Sequence, residues 1–121
     1  MKHTMKLKSE EFYNVKNGLK HIEVRINDEK RKKIKKGDII RFSNVDNMDE
    51  KVYVKVVDIT KFTNFKEIYD YYPLEKFGTN ICSKEELIKK IYKIYTREEE
   101  KLGVLAIEIG LYNKEEHYVE R

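Results

Sequence analysis

Hydrophobic and polar positions follow two rhythms along this chain. Within His21–Ile26, Ile22, Val24 and Ile26 fall at every second position, the period of a strand with one buried face. Ile39–Ser43 is a short apolar run and Lys51–Ile59 a longer, valine-rich one; both read as strands. Val104–Ile109 is apolar almost throughout, which predicts an interior strand opened by Gly103. The helical rhythm governs Ser9–Val15, where Ser9 is a candidate N-cap, Phe12 and Val15 share one side, and Gly18 ends the element. It returns in Asn64–Tyr71, stopped by Pro73. Ser83 with Glu86 makes a capping box, after which Leu87, Ile88, Ile91, Tyr92, Ile94 and Tyr95 recur at helical spacing.

Shorter features complete the pattern. Asp28 is placed to cap a helical turn through Lys30–Ile34, and Thr96 one through Glu100. Gly37-Asp38 and the polar residues 44–50 read as turns, and the basic Met1–Met5 segment receives no element. Strands at hairpin spacing in the first half imply a mostly antiparallel sheet. The expected architecture is α+β: a small barrel-like sheet with helices packed outside, in one domain over residues 1–121.

Composition narrows this little. Hydrophobic residues make up 40% of the 121, enough for a core, and charged residues another 40%. The net charge of +4 permits nucleic-acid contact without demanding it. Cys82 is the only cysteine, so no internal disulfide can form, and a reducing cytoplasmic setting is expected. No apolar stretch approaches membrane-spanning length. His3, His21 and His117 lack ligand spacing, and Glu98-Glu99-Glu100 diverge around a helix, so no metal or other cofactor is expected.

The candidate chemistry gathers around one strand. Glu23 and Arg25 are two apart and share a face, and Lys20 precedes them after the flexible Gly18. A lysine at a turn is ordinarily solvated, and Glu23 with Arg25 ordinarily a surface pair. Converging at one strand mouth, the three would instead recognise a polar, anionic ligand. Lys20 would bind phosphate or act as nucleophile or base, Glu23 would move a proton, and Arg25 would orient that carboxylate or bind an anion. Lys30, Arg31, Lys32, Lys33, Lys35 and Lys36 follow directly, a candidate phosphate-contacting patch flanking that mouth. Arg41 is a candidate for the same rim, and Tyr95 a candidate stacking platform.

These residues also carry a resemblance. Gly18, Lys20, Glu23 and Arg25, followed by Lys36-Gly37-Asp38, Ile40 and Phe42, resemble the motif of the ASCH domain, of the PUA-like β-barrel group. The tail from Tyr95 through Gly103-Val104 to Ile107 is similar to the closing segment of small prokaryotic members. The resemblance implies a β-barrel whose cleft is lined by Lys20, Glu23 and Arg25 and binds RNA or a nucleotide-like ligand. Some small bacterial relatives hydrolyse N4-acetylcytidine with a lysine, a threonine and a glutamate. The lysine falls on Lys20; the threonine position holds Glu23, and the glutamate position lies near Asn80. Three readings follow: an RNA- or nucleotide-binding module, a small hydrolase of a modified nucleoside or RNA, and a non-enzymatic interaction domain.

Overall fold

The computed structural model describes residues 1–113; His117 lies outside them. In chain order these form β1 (Lys2–Leu7), α1 (Ser9–Lys16), β2 (Ile22–Ile26), β3 (Ile39–Asn44), β4 (Asn47–Phe62), α2 (Phe65–Tyr71), α3 (Lys84–Ile94), α4 (Arg97–Glu100) and β5 (Val104–Leu111). Single 3₁₀ turns occupy Arg31–Lys33 and Leu74–Phe77. The strands form one sheet in the order β1-β3-β4-β5-β2, curled into a half-barrel with β1 and β2 as its edges. β1 pairs with β3 in parallel, and the other three pairings are antiparallel.

Side-chain alternation divides the core in two. Met5, Phe42, Val54, Leu105, Ile107 and Ile109 fill the inner face of the curl, where Phe12 and Val15 of α1 close one end. Ile22, Val24, Ile26, Val104 and Ala106 pack outward against Phe65, Ile68 and Tyr69 of α2, Phe77, and Ile91 of α3. β5 thus contributes to both cores, which explains its nearly unbroken apolar run. A bulge between Val56 and Asp58 shifts the β4–β5 register and leaves Val57 exposed.

Most caps and turns follow the sequence, but Ser9 is the first residue of α1 and not its N-cap. Lys8 holds that position without a side-chain cap, and the Ser9 hydroxyl donates instead to Asn44 Oδ1 and Asp46 Oδ2 in the β3–β4 turn. Gly18 ends α1 with φ at +72°, a conformation that favours glycine. Asn64 with Glu67 and Thr96 with Glu99 form capping boxes, and Ser83 accepts from the Glu86 amide. The backbone N–H of Arg31 donates to Asp28 Oδ1 at 2.9 Å, so the expected Asp28 cap is present on a shorter, 3₁₀ turn.

Two further expectations are corrected. Lys2–Leu7 is a strand whose inward residues are His3, Met5 and Leu7. His3 takes an apolar slot because its Nε2 lies 2.8 Å from Asp38 Oδ2, which also accepts from the Lys35 backbone N–H. Residues 44–50 are mainly strand, with a tight turn at Val45-Asp46; their polarity reflects an exposed hairpin arm. Phe42 is fully buried, so Phe42→Ala is expected to cost about 3–5 kcal/mol. Met48→Ala, at an exposed position of that hairpin, should stay within about 0.5 kcal/mol, with urea unfolding measuring both.

Candidate functional site

The site is built where the two sheet edges come together. Glu23 and Arg25 lie opposite Ile107 and Leu105 in the β2–β5 register, so their side chains turn into the curl. There Arg25 Nε donates to Glu23 Oε2 at 2.7 Å, and Arg25 Nη2 donates to the carbonyl of Lys6 on β1 at 3.0 Å. One guanidinium therefore bridges strands at opposite ends of the sheet order. Lys20 enters from the α1–β2 connection, whose backbone is held by Asn14: the carbonyl accepts from the Leu19 and Lys20 amides. Its ammonium lies 3.1 Å from Glu23 Oε1 and donates to Glu11 Oε1 of α1 at 2.6 Å.

The result is a chain of four charges, Glu11–Lys20–Glu23–Arg25, whose two inner members are buried and whose Arg25 end is nearly so. Burial alone would push the Lys20 ammonium down, but Glu23 and Glu11 outweigh it and hold the group above the ordinary lysine value. Burial would likewise raise the Glu23 carboxyl, yet Lys20 and Arg25 hold it below its ordinary value. Lys20 is therefore a fixed cation, not the neutral amine that a nucleophile or base requires. Tyr95, at the C-terminal end of α3, interacts with Arg25, and burial raises its phenol against the opposing pull of Arg25 and Arg31. Burial, with Glu23 and Glu11 adding to it, pushes the Tyr69 phenol up as well.

This network floors a cleft of about 520 Å³ between the β1–α1 side and α3. Its walls are largely apolar and aromatic: Val24 from β2, Tyr69 from α2, Phe77, Ile81, and Leu87, Ile91 and Ile94 from α3. Exposed Lys6, Lys8, Lys90 and Lys93 line it too, with Glu10 as an acidic counterpart. A second, open groove of about 460 Å³ among Lys61, Glu67, Lys101 and their neighbours lacks any such buried network.

The candidates from sequence separate into groups. Lys20, Glu23, Arg25 and Tyr95 meet in the cleft. Of the basic run, Arg31 lies within electrostatic reach of Tyr95, and Lys30 of Arg25 and Lys6; burial, with Arg31, Arg25 and Lys6 adding to it, lowers the Lys30 ammonium. Arg31 is paired with Asp28 and Lys32 with Glu29, so this stretch is partly self-neutralised. Lys33 sits within the 3₁₀ turn, and the chain through Lys35 and Lys36 leads to Asp38 beside His3. That end of β1 is roughly 13 Å from Lys6 at strand rise.

Arg41 is corrected: it pairs in register with Thr4 and Tyr53 on the sheet face opposite Ile40 and Phe42, away from the cleft. Alternation gives a residue's face, but β2 and β3 are separated in the sheet by β5 and β4. Asn80 has a left-handed backbone, φ 60°, and only its neighbours Thr79 and Ile81 line the cleft. Glu11, Tyr69, Lys90 and Lys93 were not singled out by sequence. Lys90 and Lys93 carry a signal in retrospect, being charges three apart on the helix that presents Tyr95. No group of histidine, cysteine and acidic side chains suited to a metal occurs among the described residues.

With this geometry in view, residues 5–113 match the model of the ASCH domain family. A crystal structure of the hypothetical protein PH0355 is similar, with TM-score 0.82 and 39% identity over 93% of this chain and all of that one. The solution structure of protein PF0455 from Pyrococcus furiosus has TM-score 0.74 and 35% identity, over 93% of this chain and 99% of that one. No curated protein matches the sequence.

The charge chain has a pH signature. Glu23 is held below its ordinary value of 4.5, so its contribution to stability is full above that pH and is lost as pH falls through the lower folded value. Glu23→Gln should cost about 3–5 kcal/mol at neutral pH by stranding buried cations. Unfolding titrations from pH 7 to pH 3 should show the wild-type advantage shrinking in acid; a constant gap would contradict this electrostatic origin.

Proposed function

The chain belongs to the ASCH domain family, which is associated with RNA binding, and from that premise we propose that its cleft binds RNA or a nucleotide-like ligand. The supporting observation is the pairing of a buried Glu11–Lys20–Glu23–Arg25 floor with apolar, aromatic walls and a lysine rim. Aromatic and apolar walls suit a base lifted out of a stack, and rim lysines suit the backbone phosphates. Lys30 and Arg31 extend the basic edge at the Arg25–Tyr95 end. No helix among the described residues is long and apolar enough to cross a membrane.

A second reading is hydrolysis of a modified nucleoside, and the Lys20–Glu11 contact favours it. Lys20 as a fixed cation is suited to stabilise negative charge developing on a carbonyl oxygen. Glu11, half-exposed and 2.6 Å from that ammonium, is suited to move a proton. The reading does not need Glu23 as an acid or base, which its two cationic partners disfavour.

Fluorescence anisotropy with short single-stranded RNA tests the first reading. Affinity should fall with salt, and Lys6→Ala, Lys90→Ala and Lys93→Ala together should lower the log–log slope by about one per lysine. An unchanged slope would place the RNA elsewhere. Chromatographic turnover of acylated nucleosides, N4-acetylcytidine among them, tests the second. Product that disappears in Glu11→Gln and Lys20→Ala supports hydrolysis, and no product across the set removes it.

A further inference from the structure

The cleft floor and its rim differ in charge balance, and the difference specifies how a ligand would lie. On the floor, the cations Lys20 and Arg25 are matched by the carboxylates Glu11 and Glu23. Every member touches a partner of opposite sign within 3.1 Å. The formal charges sum to zero, so a phosphate entering there would meet two carboxylates as closely as two cations. It would also have to break existing pairs to gain its own. The floor nevertheless retains hydrogen-bonding capacity. An ammonium has three donors, and Lys20 uses two on its carboxylates. Glu11 Oε1 takes the Lys20 bond, while Oε2 carries none of these contacts.

The rim is the opposite case. Lys6 and Lys8 on one wall, and Lys90 and Lys93 on the other, have no carboxylate partner among the described residues. Among the described residues lining the rim Glu10 is the single acid, which leaves a net positive margin around a neutral floor. The aromatic side chains of Tyr69, Phe77 and Tyr95 line the same cleft.

We propose that the cleft sorts its ligand by charge: an uncharged, hydrogen-bonding heterocycle such as a nucleobase sits on the Glu11–Lys20–Glu23–Arg25 floor, and its phosphate sits outside, on Lys90 and Lys93 with Lys6 and Lys8 opposite. This rests on the cleft being the ligand site, and it refines the expectation from sequence that Lys20, Glu23 and Arg25 face an anion. A base on the floor has left its partner strand, so the occupant is a free nucleotide or an unpaired nucleotide of a single strand. Glu11 sets the balance: removing its charge leaves the floor with a net cation.

NMR titration of the whole chain with uridine, uridine 5′-monophosphate and inorganic phosphate separates the levels. In the wild type, uridine should shift amide signals around Lys20, Glu23 and Tyr95, and equimolar inorganic phosphate should leave them in place. The monophosphate should bind about tenfold more tightly than uridine at low salt, as two exposed charge contacts allow. In Lys90→Ala/Lys93→Ala that advantage should collapse toward uridine's affinity. Glu11→Gln should admit phosphate to the floor and weaken uridine. Phosphate displacing uridine from the wild type, a double variant that weakens both ligands equally, or uridine failing to shift the floor would each overturn the proposal. RNA anisotropy judges the binding reading separately: RNA bound with uridine excluded from the floor refutes only the sorting.

Discussion

Arg25 occupies the position on which the rest of the site depends. Its guanidinium donates to Glu23 on its own strand and to the Lys6 carbonyl on β1, joining strands that share no backbone ladder. A half-barrel left open between its edges would expose unpaired backbone groups along both. Here a side chain spans part of that gap, and the opening beside it becomes the cleft. Because Glu23 must face Arg25, and Lys20 must face Glu23, the charged floor and the closure of the curl are one construction.

Such a construction is a poor choice for stability alone. Removing several ions from water costs several kcal/mol apiece, and a well-packed apolar replacement often does as well or better. The surrounding core has ample capacity for one, since Ile107 and Leu105 are the cross-strand neighbours of Glu23 and Arg25. Their side chains fill the same interior without polar groups. What the charges provide is a rigid set of donors and acceptors, oriented by one another before any ligand arrives. That is the property a binding site needs, and largely apolar walls stand around it.

Much of this was legible from periodicity. Alternation within β2 put Glu23 and Arg25 on one face, and Gly18 marked the turn that delivers Lys20. The resemblance to ASCH domains linked that motif to a curled sheet, which the family match and the similar structures bear out. β1 escaped because His3 stands where an apolar residue would complete the pattern, its polarity absorbed by the distant Asp38. Glu11 escaped for a different reason. An acid in the first turn of a helix is ordinarily explained by the helix dipole, and nothing local shows that Lys20 folds back onto it. Arg41 is a rim candidate in the sequence because it alternates on the next strand along the chain, but neighbours in chain order are not neighbours in the sheet. The sheet order, with β5 and β4 between β2 and β3, is set by long-range pairing that alternation does not encode.

Photo-crosslinking of single-stranded RNA carrying 4-thiouridine, with the linked peptides mapped by mass spectrometry, tests the central claim most directly. The account predicts links to Tyr69, Phe77 and Tyr95 around the charged floor, lost when unlabelled RNA competes. Links confined to Lys33–Lys36 and the outer sheet face around Arg41 and Tyr53 would contradict it, because RNA would then be held by the basic surface and not by the cleft.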